Sequence, residues 1–168
     1  MQIDKSEYNS YYQTYMDYVH ETDLIEAFQI NMQETKEFIN SLNYNKTDYR
    51  YQPGKWSTAE VIGHILDTER MMAARALRIS RGDNTPIPGF DENEYVASKV
   101  FEGRTLASLS EEFTTIRHAS LSLFANLPEA NWSMLGTANN SPISVRALAA
   151  IIVGHTRHHL KVLEERYC

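Results

Sequence analysis

Three of the six histidines in this 168-residue chain fall within five positions, in the run Gly154-His155-Thr156-Arg157-His158-His159-Leu160. On a helix, His155 and His159 project from successive turns with Cβ atoms about 5–6 Å apart, so both imidazoles can reach one ion at a Zn–N length of about 2.0–2.1 Å. Spacing alone carries little weight, because six histidines in a chain of 168 produce a pair four apart by chance in roughly one sequence in five. Their neighbours carry more. Both residues are in register with Leu148, Ile152 and Val162, on the face that must point into a helical core, where an unpaired imidazole is costly to bury.

A third histidine, His64, stands beside Val61, Ile65 and Thr68 on the inner face of another helical segment. Three inward imidazoles from two helices form a facial nitrogen site that leaves coordination positions open for water or substrate, the pattern of a catalytic rather than a structural ion. The competing reading is a trio of separately hydrogen-bonded core histidines. His158 is rotated by about 100° from His159 and suits a supporting or surface role. His20 and His118 stand apart. Other chemistries lack their residues. There is no Glu-x-x-His for a di-iron carboxylate centre, no serine in a glycine elbow, no phosphate-cradling glycine loop, and the sole cysteine is Cys168.

The elements that must position these residues read as all-α, since four segments repeat apolar residues at spacings of three and four and none sustains a period of two. The first runs from about Asp23 to Leu42 through Leu24, Phe28, Met32, Phe38 and Leu42. The second starts at Trp56-Ser57, where Ser57 and Glu60 make a capping box, continues through Val61, Ile65, Thr68, Met72, Ala76 and Ile79, and stops at Gly82. A third spans about Thr105 to Leu127, and a fourth begins near Ser144. Residues Gly82 to Arg104 form a turn-rich crossover long enough to span a helix, so the helices it joins need not be antiparallel neighbours. Tyr8, Tyr11, Tyr12, Tyr15 and Tyr18 predict an extra N-terminal helix, either lining a ligand site or dimer contact or packing over the bundle.

The composition bounds the partners. Sixteen Lys and Arg against 22 Asp and Glu leave a charge of -6, which excludes the electrostatic footprint of a duplex-binding protein. The longest apolar run, Ala147 to Val153, is far short of the roughly 20 residues of a membrane span. With one cysteine and no signal-peptide pattern, the expected location is the cytoplasm, and residues 1–168 read as one domain.

Several motifs together resemble the DinB-like family of bacterial helical-bundle proteins and its bacillithiol S-transferase relatives. They are Lys55-Trp56-Ser57, Gly63-His64-Ile65-Leu66-Asp67-Thr68-Glu69-Arg70, Arg75-Ala76-Leu77-Arg78, Arg81-Gly82-Asp83, Pro88-Gly89-Phe90-Asp91-Glu92-Asn93, Ser144-Val145-Arg146-Ala147-Leu148, Gly154-His155 and His158-His159, and they cover the chain from about Tyr11 to Tyr167. The resemblance implies a four-helix bundle of up-down-down-up topology and a homodimer. It also implies one divalent ion, zinc or nickel, held by His64, His155 and His159. It further implies transfer of a low-molecular-weight thiol such as bacillithiol to an electrophilic small molecule, with hydrolysis by ion-bound water or a non-catalytic dimerisation module as alternatives. Asp67 and Glu60, one turn from His64, are candidates to orient its ring, although Glu60 is needed for capping. Arg70, Arg75, Arg78 and Arg157 are candidates to bind a carboxylate of the thiol, against an alternative as an ion-pair ladder beside Glu69. Trp56 and Trp132 are expected to be packing anchors at helix entries.

Overall fold

A computed structural model describes residues 2–168. Its long helices are α2 (Leu24–Ser41), α3 (Thr58–Ser80), α5 (Leu106–Ala125) and α6 (Val145–Tyr167), with α1 (Gln13–Met16) and α4 (Glu92–Ala97) as short additions. Each long helix begins at a side chain that accepts from its first free backbone amides: Asp23, Ser57, Thr105 and Ser144. At α3 the box is reciprocal, since Ser57 N donates to Glu60 over 2.6 Å while Glu60 N donates to Ser57 Oγ over 3.2 Å. Gly82, at φ +80°, takes the left-handed turn that stops this helix.

Side-chain pairings fix the helix directions. Arg70 meets Glu112 near one end of an α3/α5 groove, and Leu77 faces Leu123 farther along, so α3 and α5 run parallel. Phe28 packs on Phe124 and Asn31 meets Arg117, which sets α2 against α5 in opposite directions. His64 meets His155, and Tyr167 Oη donates to the Trp56 carbonyl over 2.8 Å, so α6 returns antiparallel to α3. Arg157 reaches Glu34 while Lys46, just past α2, donates to the Tyr167 carbonyl, making α6 parallel to α2. The result is the up-down-down-up order. Around the bundle the helices follow as α2, α5, α3, α6, which puts α2 diagonal to α3 and α5 diagonal to α6.

The apolar core has two lobes, one around Phe28, Phe124, Trp132 and Leu148, the other around Ile62, Leu66, Phe113 and Leu163. Between them Arg117 and Glu69 form an ion pair at 2.9 Å with side-chain exposures of 0% and 1%.

Three local features depart from the sequence reading. The N-terminal segment is not one helix: 3₁₀ turns at Lys5–Glu7 and Ser10–Tyr12 precede the single turn of α1. Successive caps at Asp4 and Asn9 restart the chain, because each short polar side chain binds the amide two residues on. The crossover contains α4, capped by Asp91. A hairpin of β1 (Leu135–Ala138) and β2 (Ser141–Ser144) precedes α6, turning through Asn139 and Asn140 with φ of +49° and +59°. Two adjacent left-handed residues are the signature of a type I′ turn, which asparagine tolerates better than most residues. Ile87 clips the crossover to this hairpin through hydrogen bonds with Thr137 and Asn139. Among the described residues no helix is long and apolar enough to cross a membrane.

Candidate metal centre and its pocket

α3 and α6 bring His64, His155 and His159 together. One nitrogen from each lies within 4.8 Å of the other two, and the Nε2 atoms of His64 and His155 are 2.9 Å apart. His64 and His155 are buried and His159 is half-buried. Burial, followed by the neighbouring imidazoles, holds His155 and His159 well below the usual histidine range. Burial, with the nearby His158, pushes His64 down to about 4. All three rings are therefore neutral at neutral pH, the form whose lone pairs ligate an ion. A single proton can bridge only one N···N pair, so three inward imidazole nitrogens this close fit a shared cation better than they fit one another.

The rings open onto a pocket of about 230 Å³. Its α3 wall is the stripe His64, Thr68, Met72 and Arg75; Tyr11, Tyr12 and Tyr15 close it from the N-terminal side, and Phe90 and Glu92 come from the crossover. Trp56 lies 5.0 Å from the His64 ring and Tyr15 lies 5.1 Å from that of His155, both measured between centroids. Trp56 is thus a pocket wall as well as a helix-entry residue. Trp132, stacked on Phe124 at 5.7 Å, is a core anchor as expected.

The supporting residues separate. Asp67 is 3.5 Å from Arg70, which also binds Glu112, and neither residue lines the pocket. Glu60 caps α3 and binds Arg50 instead of orienting His64. Arg78 pairs with Asp83 at 2.6 Å. His158 packs against Tyr15 and Tyr18 outside the pocket, with its Nδ1 buried and lacking a partner among the described residues. His20 and His118 are exposed. Of the four candidate arginines only Arg75 reaches the pocket.

Arg157 has a different task. It donates to Glu21, Glu34 and the Tyr18 carbonyl, tying the tyrosine-rich segment to α6 and α2. The Arg157 hydrogen bond holds Glu21 down to about 2, from an ordinary 4.5. A carboxyl whose folded value is depressed stabilises fully above its unfolded value and loses that contribution as pH falls toward the folded one. Hydrogen exchange in residues 13–21 should therefore accelerate as pH drops from about 4.5 toward 2, beyond the intrinsic pH effect. Arg157→Gln should show faster exchange already at neutral pH and a flatter response to acid; an identical profile in both proteins would contradict the tie.

Gly154 lets the same segment approach. A Cβ there would run into the Tyr15 carbonyl oxygen, a backbone atom that cannot move alone. Gly154→Ala is expected to lower stability by about 1–3 kcal/mol and to lift Tyr15 off His155. Thermal unfolding and proteolysis of the first twenty or so residues would read both effects; a variant unchanged in both would refute the close packing.

Helix order and histidine cluster together define a narrow class of four-helix bundle. The model of the DinB superfamily matches residues 27–163, and the chain belongs to that superfamily. It is 27% identical over 138 residues to OB0413 of Oceanobacillus iheyensis, named as a candidate metal-dependent hydrolase, covering 81% of this chain and 77% of that protein. Its fold matches YfiT from Bacillus subtilis, described in similar terms with an unusual four-helix bundle topology, at TM-score 0.75 and 15% identity over 88% and 90% of the two chains. It also matches the mycothiol-dependent maleylpyruvate isomerase at TM-score 0.66 and 12% identity, over 92% of this chain and 62% of that one.

Proposed function

We propose that this protein is a metal-dependent enzyme acting on a small molecule, with one divalent ion, zinc or nickel, held by His64, His155 and His159. The observation that carries the reading is the convergence of three neutral, inward imidazoles on the wall of a pocket. An ion bound there supplies Lewis acidity and lowers the pKa of whatever occupies its open position. The protein's own residues do the rest. The histidines hold their rings neutral through burial, Tyr15 and Trp56 exclude water from two sides, and the α3 stripe orients the substrate.

The nucleophile we assign is a low-molecular-weight thiol of the bacillithiol kind, delivered to an electrophile. The sole cysteine, Cys168, is exposed and is not a pocket residue, so sulfur chemistry here requires a thiol from outside. A mycothiol-dependent enzyme of the same fold supports this reading. The names of OB0413 and YfiT favour a second reading, hydrolysis with water in that position. A panel pairing bacillithiol, mycothiol, glutathione and coenzyme A with electrophiles, run beside ester and amide substrates, separates them. Turnover that requires both thiol and ion supports transfer, turnover without thiol supports hydrolysis, and full activity after chelation would overturn both. The reading includes one domain over residues 1–168 and a homodimer. Light scattering should give twice 19.3 kDa, and a monomer would remove that part.

A further inference from the structure

The pocket contains a buried cation that makes no direct ion pair among the described residues. Arg75 is 2% exposed, yet among the described residues no carboxylate lies within salt-bridge distance of its guanidinium. Its Nη2 donates to the Pro88 carbonyl over 3.0 Å, its Nη1 lies 3.6 Å from Met72 Sδ, and its Cζ is 5.5 Å from the centre of the Phe90 ring. These neighbours, with the Tyr12 hydroxyl beside the guanidinium, hold the side chain without balancing its charge, and among the described residues its Nε has no partner. One turn beyond His64, the Thr68 hydroxyl is likewise buried and without a partner among the described residues. Arg117, the other deeply buried arginine, is saturated by Glu69, Asn31 and a backbone carbonyl. A buried guanidinium without a counter-charge is strongly penalised, so such a residue on a pocket wall is best explained by an anion that arrives with the ligand.

We propose that Arg75 is the specificity-determining residue of an anion subsite, and that the pocket takes an elongated small molecule carrying a carboxylate at the end away from the histidines. Arg75 lies eleven residues after His64, just over three full turns, on the same stripe of α3. Its Cα is about 16 Å along the axis, and its side chain tilts back toward the helix N-terminus and the histidines. A carboxylate accepting from Arg75 leaves room for a flat body between Tyr12, Tyr15 and Phe90, with the Thr68 hydroxyl beneath and the reacting group at the histidines. The half-buried Glu92 on the same wall disfavours any anion that does not reach Arg75.

This assignment deepens the proposed function and rests on it for the reacting end, but the subsite is tested without the ion. Metal-free protein at neutral pH is titrated with phenylbutyrate and with its neutral isostere phenylbutyramide, following Trp56 fluorescence. The carboxylate should bind at least about tenfold tighter, as expected for a charge-assisted hydrogen bond in a dry site. Arg75→Gln should erase that gap, and Glu92→Gln should widen it. Should Arg75→Gln fail to fold, Arg75→Lys replaces it: a point charge without the planar fork should narrow the gap. Equal binding of the two probes, or a gap unchanged in the Arg75 variants, overturns the subsite whatever the ion content proves to be. In zinc-loaded protein, displacement of phenylbutyrate by bacillithiol but not by cysteamine places the anion on a thiol co-substrate. Displacement by neither places it on the electrophile, and the subsite stands in both cases.

Discussion

Arg117→Met is expected to cost about 3–5 kcal/mol of folding free energy, a large share of a typical domain's stability of about 5–15 kcal/mol. Arg117 donates to both Glu69 carboxylate oxygens, to Asn31 Oδ1 at 2.7 Å and to the Phe28 carbonyl at 3.2 Å. Its guanidinium also lies 5.0 Å and 4.9 Å from the centres of the Phe28 and Phe113 rings, one from each lobe of the core. Methionine roughly fills the volume but strands the Glu69 carboxylate, which is 1% exposed and cannot recruit water. The loss therefore comes mainly from an uncompensated charge and not from a cavity. The double variant Glu69→Leu with Arg117→Met removes both charges and should recover most of it. Urea unfolding measures each protein; a single-variant loss below about 1 kcal/mol would mean that water or rearrangement relieves the carboxylate.

His155→Ala should take the protein from about one divalent ion per chain to almost none after desalting. Of the three histidines His155 is the most enclosed, 3% exposed, and its Nε2 lies 2.9 Å from that of His64. Alanine removes one of three donors, and two half-supported imidazoles compete poorly with solvent. The thermal signature is independent of any reaction. Zinc at a hundred times its dissociation constant should stabilise the wild type by about 2.7 kcal/mol and the variant hardly at all. His118→Ala, at an exposed position, should behave as the wild type. Elemental analysis and paired melting curves check the prediction, and a variant that keeps both the ion and the shift would disprove ligation by these three rings.

The bundle was legible because its signals are local. Ser57 and Glu60 announce a capped start, Thr105 and Ser144 cap the later helices, and the period of the apolar residues sets the inner faces. The histidine cluster was legible for the same reason, since residues in register with Ile152 and Ile65 must face the core. The topology needed the resemblance as well, because a crossover of some twenty residues permits several helix orders. The burial of Glu69 is not legible because it stands between Thr68 and Arg70, in a run that reads as a charged face. Its burial depends on Arg117, 48 residues away, which no local pattern announces. Arg75 stood among four similar arginines, and only the folded chain shows which three have carboxylates beside them. The hairpin was missed because its strands are four residues each, too short for alternation to register.

The diagonal placement of successive helices governs how the chain reaches this structure. In an up-and-down bundle each helix folds back on the one before it, so contacts form early and close small loops. Here α2 cannot pair with α3, nor α5 with α6, and α2 must wait for partners far along the chain. Such non-local closure slows folding relative to ordinary helical bundles. Synthesis imposes a further order, because α6 is made after the other helices and brings two of the three clustered histidines. Until α6 leaves the ribosome the growing chain holds only His64 of the three, so the cluster is assembled only in an essentially complete bundle.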